Sequence, residues 1–139
     1  MARYTYIALF AAAALASCVT TRVQIWPLDY QSADDPGAAR VWMRYTNLGK
    51  KDVCLSDSNW PNPSGSLNQM SDAVWLEVDG RRFPIADLNT GYCMENCSTR
   101  VRPGKTVTAG LHYEDFGLPT ALYKRSKILH FNAYAFSCG

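Results

Sequence analysis

The residues able to do chemistry in this chain are few: five cysteines, two histidines and acids scattered through loops. The cysteines are the most informative. Cys18, Cys54, Cys93, Cys97 and Cys138 are odd in number, and an unpaired thiol is a liability in an oxidising compartment. Cys18 stands apart, directly behind an apolar run, and setting it aside leaves an even set for disulfides. Four cysteines allow three pairings. The favoured one joins Cys54 to Cys138 and Cys93 to Cys97. The first bridge would clamp an early strand to the last one, closing a loop large enough to contribute about 4 kcal/mol. The second would staple a local excursion. Crossed pairings, such as Cys54–Cys93 with Cys97–Cys138, stay open.

Catalysis by a nucleophile needs a histidine or carboxylate beside an activated hydroxyl or thiol. His112 and His130 both fall inside candidate strands, and His130 alternates with Asn132 and Tyr134 as a strand surface would. No G-x-S-x-G or comparable motif accompanies them. Cys93-x-x-x-Cys97 lacks the C-x-x-C spacing of redox motifs. Export would favour disulfides over zinc thiolates. Asp57-x-Asn59 faintly resembles a calcium loop, but Pro61 and Pro63 interrupt the regular oxygen spacing such a loop needs. The expectation is therefore a non-catalytic protein with no metal site and no cofactor.

These residues belong to a chain of 139, enough for one domain with a removable leader. Residues 4–17 carry no charge, and Ile7 to Leu15 is a compact apolar stretch behind Arg3. That stretch is too short to span a bilayer and has the form of a signal-peptide core. Leu15-Ala16-Ser17-Cys18 resembles the bacterial lipobox, in which small residues precede a cysteine whose thiol takes a lipid. The resemblance implies that residues 1–17 are a lipoprotein signal peptide and that Cys18 is the lipidated, acylated N-terminus. Residues 18–21 would then be a short tether, and 22–139 the folded domain. Val19, rather than aspartate, after the cysteine implies an outer-membrane address facing the periplasm. The net charge of +2 argues against nucleic acid, which requires a concentrated basic face. The small clusters Arg81-Arg82, Arg100 with Arg102 and Lys105, and Lys124-Arg125 with Lys127 are read as solvated turn residues.

The elements that must position these groups are short strands. Strands are expected over Arg22–Leu28, Ala39–Asn47, Asp52–Ser56, Ala73–Asp79, Arg82–Ile85, Lys105–Tyr113 and Lys127–Ser137, and Ser98–Arg102 leads into the Pro103-Gly104 turn. The alternation is cleanest where Val41, Met43 and Tyr45 oppose Arg40, Trp42 and Arg44, and where Val107, Ala109, Leu111 and Tyr113 share a face. Gln31–Gly37 reads as a polar loop, Asn47–Lys51 as the turn of a hairpin, and Leu118–Arg125 as one helical turn or a loop. Ser56–Asp72, with two prolines and many small polar residues, is a long loop, and Asp87–Asn96 is a second irregular segment. Seven to eight short strands without a βαβ rhythm point to an antiparallel immunoglobulin-like β-sandwich, disulfide-stabilised, with a small β-barrel as the alternative.

Tyr45-Thr46-Asn47-Leu48-Gly49, then Val53-Cys54-Leu55, then Arg102-Pro103-Gly104-Lys105 before an alternating strand, resemble bacterial envelope immunoglobulin-like domains. The resemblance covers residues 39–139. It implies a sandwich fold and an envelope location, and it carries over no catalytic or ligand residues, because such domains serve as binding, inhibitory and structural modules alike.

The remaining signal is aromatic. Trp60 sits between Asn59 and Pro61-Asn62-Pro63, where an exposed ring would be a rigid contact point and an inward one would cover an end of the sandwich. Tyr92 is a second candidate contact, while Trp26, Trp42 and Trp75 read as core or sheet-face residues. The expected function is a lipid-anchored module that binds or inhibits another envelope protein through the 57–72 loop and the 87–97 segment. The alternative is a lipoprotein that binds glycan or peptidoglycan fragments on exposed aromatics.

Overall fold

A computed structural model describes residues 23–68, 72–86 and 98–138. Within them ten strands form: β1 (Ile25–Pro27), β2 (Gln31–Asp35), β3 (Arg40–Thr46), β4 (Val53–Ser56), β5 (Val74–Val78), β6 (Arg81–Pro84), β7 (Ser98–Val101), β8 (Thr106–His112), β9 (Lys127–Phe131) and β10 (Tyr134–Ser137). All pairings are antiparallel, in sheets ordered β1-β10-β4-β7, β2-β3-β8 and β6-β5-β9. The expected antiparallel β-sandwich forms, and the sheets stay open rather than closing into a barrel. Their inner faces share one core that includes Met43, Leu55, Leu76, Leu111 and Tyr113.

The alternation that predicted β3 and β8 is the one that buries them. Val41, Met43 and Tyr45 point inward, as do Ala109, Leu111 and Tyr113. β5 and β6 are joined by Asp79-Gly80 with φ of 50° and 74°. Both residues are left-handed, the geometry a two-residue hairpin turn requires and an Asp-Gly pair tolerates.

Four local expectations differ. Gln31–Asp35 is a strand rather than a loop; it pairs with β3 at the sheet edge, where ladder bonds rather than an apolar pattern define it. β3 and β4 do not form a hairpin, because the turn between them crosses from one sheet to another. Asn47 makes that crossing. It is buried, its Nδ2 donates to the Lys51 and Val101 carbonyls at 2.8 Å each, and its Oδ1 accepts from the Gly49 amide at 3.0 Å. Lys127–Ser137, read as one long strand, divides at Asn132-Ala133 into β9 and β10, which lie in different sheets. The 118–125 segment contains a short 3-10 turn at Thr120–Leu122, preceded by another at Tyr113–Phe116.

Lys127 is the fourth correction, since it is not a solvated turn residue. Its side chain has 0% exposure. Its Nζ donates to the carbonyls of Arg125 (2.6 Å) and Tyr123 (2.7 Å) and to Asp34 Oδ2 (3.3 Å), and it lies 4.3 Å from the centre of the Tyr113 ring. Tyr113 donates its phenol proton to the other Asp34 oxygen. Burial, then the hydrogen bond and negative charge of Asp34, hold that phenol above its usual pKa. At the other end of β9–β10, Cys54 and Cys138 form the expected disulfide, with Cα atoms 5.2 Å apart and a sequence separation of 84. Cys18, Tyr92, Cys93 and Cys97 lie outside the described residues.

The contrast between this buried pair and a surface one is measurable. Asp34→Leu leaves the buried ammonium without its counter-charge and is expected to cost about 3–5 kcal/mol of unfolding free energy. Arg125→Ala removes the exposed Arg125–Asp79 pair without touching the left-handed Asp79 and is expected to cost no more than about 1 kcal/mol. Urea denaturation of both variants gives the comparison; equal losses would remove Lys127 from the centre of the structure.

Candidate functional site

The 57–68 loop is fastened at both ends and folded on itself. The Asn59 and Trp60 amides donate to the Ser56 carbonyl, and the Asn68 amide donates to the Asp57 carbonyl at 2.9 Å, so the ends meet as in an Ω-loop. Asn62 organises the tip. Its side-chain oxygen accepts from the Ser64 amide (3.0 Å), the Ser64 hydroxyl (2.6 Å) and the Ser66 amide (3.0 Å). Asn59 is likewise engaged, donating to Ser56 Oγ and accepting from the Tyr134 amide.

Trp60 faces inward. It is 4% exposed and packs with the buried Leu67 as part of the core. Its role is therefore to plug the loop into the sandwich, not to present an exposed ring. The open surface lies beside it. A groove of about 350 Å³ runs between the loop and the end strands of two sheets, β8 and β7. Thr108, Gly110 and His112 of β8 line it with Thr99 of β7, the loop residues Trp60–Gly65 and, from β3, Arg40 and Trp42.

Glycine makes the close approaches that shape this groove. A Cβ on Gly110 would lie 3.0 Å from Arg40 Cδ and 3.2 Å from the Trp42 ring, so its absence lets both side chains lie across β8. Gly65 has φ +84°, and a Cβ there would come within 2.8 Å of the Gly110 carbonyl oxygen and 2.9 Å of the His112 ring. Trp42 is held in place from both sides: Arg40 lies 4.9 Å from its ring centre, and its indole N–H donates to Asp35 Oδ2 at 3.0 Å. That bond, with a second from the Ala38 amide, holds the Asp35 carboxyl below its usual pKa.

The groove presents hydroxyls, a guanidinium and an imidazole around a half-buried indole, a set suited to hydrogen bonding a polar chain. Among the described residues no hydrogen bond links the His112 ring to a hydroxyl or carboxylate, and no three metal-ligating side chains converge. Burial raises the Asp115 carboxyl above its usual pKa, opposed by a bond from the His112 backbone amide. His130 lies elsewhere. It stacks on Trp75 at 4.8 Å and 7°, and its Nε2 is 2.9 Å from Glu77, while Arg82 lies 4.0 Å from the Trp75 ring centre.

Of the contacts expected from sequence, the structure brings Trp60 and Asn62 to this groove, Trp60 as an inner wall. Arg40, Trp42, Thr99, Thr108 and His112 were not expected there. The legible signal was Gly110, which stands without a side chain on the outward register of Lys105–Tyr113 beside Thr108 and His112, as a strand glycine does where another group approaches closely.

Two outcomes follow from this geometry. Gly65→Ala must displace the loop and is expected to cost about 1–3 kcal/mol, read as a lower melting temperature with altered Trp60 fluorescence; a wild-type melting curve would mean the loop is not held against β8. The depressed Asp35 pKa means the clamp on Trp42 is intact above the ordinary carboxylate value of about 4 and is lost as pH falls through the lower, folded value. The Trp42 indole N–H resonance should accordingly stay fixed down to about pH 4 and move only below it.

No family model matches the chain, and neither does any curated protein or solved structure.

Proposed function

We propose that this chain is a non-catalytic, lipid-anchored protein of the bacterial cell envelope that binds or inhibits another envelope protein through the groove between β8 and the 57–68 loop. The observation that carries the reading is the build of that groove: its walls are a loop pinned by its own hydrogen bonds and by buried Trp60 and Leu67, so little ordering remains to oppose binding. A volume of about 350 Å³ lies at the small end for ligand pockets and suits a projecting side chain or short segment of a partner. The anchor is Cys18, carried by the lipobox resemblance of residues 15–18, with the outer membrane as the address.

Glycan recognition is less well supported by the aromatic geometry. It needs open ring faces sharing one surface, yet Trp60 is buried and Trp75 already stacks with His130 and Arg82.

Thr108 is exposed in the groove and outside the core, so Thr108→Arg fills the site without disturbing the fold. Crosslinking and affinity capture from intact cells should recover partners with the wild type and lose them at least about tenfold, or 1.4 kcal/mol, with this variant. Equal recovery from both would refute the groove as the contact. Titrating the purified protein with cell-wall fragments should leave its tryptophan fluorescence flat, whereas a saturating response would favour the glycan reading.

A further inference from the structure

The end of the sandwich at which the described chain begins, with Val23, carries unpaired positive charge around exposed apolar side chains. Asn47 caps this end, bonding the Lys105 carbonyl through its amide and the Gly104 amide through its carbonyl, so the Asn47–Asp52 and Arg102–Lys105 turns lie side by side. Lys50, Lys51, Arg102 and Lys105 are all exposed there. Leu48, at the tip, is 89% exposed. The nearby acid, Asp52, is already paired with Arg100 at 3.2 Å. None of the four cations makes an ion pair among the described residues. The opposite end is different, for there Asp34 meets Lys127 and Asp79 meets Arg125.

The first described residues run alongside this cationic end. Gln24 exchanges hydrogen bonds with Ser137, which pairs with Val53 at the start of β4. Trp26 shares a cavity wall with Lys50, Lys51 and Val53. Val23 and Ile25 are 62% and 70% exposed on the same margin. From Val23 back to Cys18 the chain can reach at most about 17 Å.

We propose that this end docks on an anionic phospholipid surface, with Leu48, Val23 and Ile25 at the headgroup boundary and Lys50, Lys51, Arg102 and Lys105 on the lipid phosphates. The proposal rests on the reading of Cys18 as a lipid anchor, which brings the membrane within reach. Charge complementarity selects lipid as the occupant, because clustered cations beside a membrane attachment point concentrate on anionic headgroups within a Debye length. An acyl anchor alone leaves a domain free to tumble; a basic patch adds the second attachment that fixes its orientation. β8 begins at this end with Thr106 and runs away from it to His112, so the docked domain holds the His112 side of its groove away from the bilayer.

Lysine acetylation read by mass spectrometry tests this on the full chain expressed with its own leader. The protein is mixed with vesicles of phosphatidylcholine alone, or of phosphatidylcholine and phosphatidylglycerol at about 7:3. On the anionic vesicles, Lys50, Lys51 and Lys105 should be acetylated at least about threefold more slowly than on neutral ones, and the protection should disappear at high salt. Lys124, exposed just ahead of β9 at the opposite end, should react equally on both. Equal acetylation of Lys50, Lys51 and Lys105 on both vesicles overturns the docking, as does protection centred on Lys124. Flotation with the neutral vesicles reports the anchor separately. A chain that fails to float with them, yet shows the expected protection on anionic vesicles, retains the docking surface and loses the lipid anchor.

Discussion

A lysine whose side chain has no exposed surface sits where separate parts of this protein meet. Lys127 opens β9, and its ammonium is held by Asp34 of β2, by two carbonyls of its own approach segment and by the face of Tyr113, the residue that follows β8. Such a charge is tolerated in the interior only if every proton finds an acceptor. Two of the three sheets, β2-β3-β8 and β6-β5-β9, are thereby tied to one geometry: β2 cannot slide, β9 cannot tilt and the end of β8 cannot fray without leaving that charge unpaired. The disulfide fastens the other end of the β9–β10 run to β4.

The groove depends on this frame. Its floor is β8, whose far end is held by Tyr113, and its outer wall is a loop without regular secondary structure. Loops of this length are usually mobile, but here Trp60 and Leu67 supply an apolar plug and Asn62 satisfies the tip. Burial of a tryptophan side chain is worth a few kcal/mol, on the order of 3–5 when truncated to alanine, enough to hold the loop against β8. The two glycines that face one another, Gly65 and Gly110, then set how narrow the opening is.

Much of the architecture was legible because it rests on local periodicity. Val41-Met43-Tyr45 and Ala109-Leu111-Tyr113 alternate as strands with one buried face must, Asp79-Gly80 is a turn by its own chemistry, and the distance between Cys54 and Cys138 in sequence suited a clamp between early and late strands. What escaped was non-local. β2 has no apolar pattern because an edge strand needs only a partner's backbone. Asn47 looks like an ordinary hairpin residue, and only its bond to Val101, far along the chain, makes it a crossing between sheets. Residues 127–137 alternate without interruption, so nothing in their pattern marks the change of sheet at Asn132-Ala133. Lys127 reads as a surface charge beside Lys124 and Arg125 until Asp34 and Tyr113 are placed against it. The groove could not be read for the same reason: Trp42, Thr99, Thr108 and Asn62 come from four separate segments.

The central claim is that the groove beside β8 is the surface that meets a protein partner. A photo-crosslinking amino acid placed at position 108, in the groove, and at position 128, exposed on the outer face of β9, tests it in living cells. The account predicts a discrete, light-dependent adduct from position 108 and none from position 128. An adduct from position 128 with none from position 108 would contradict it.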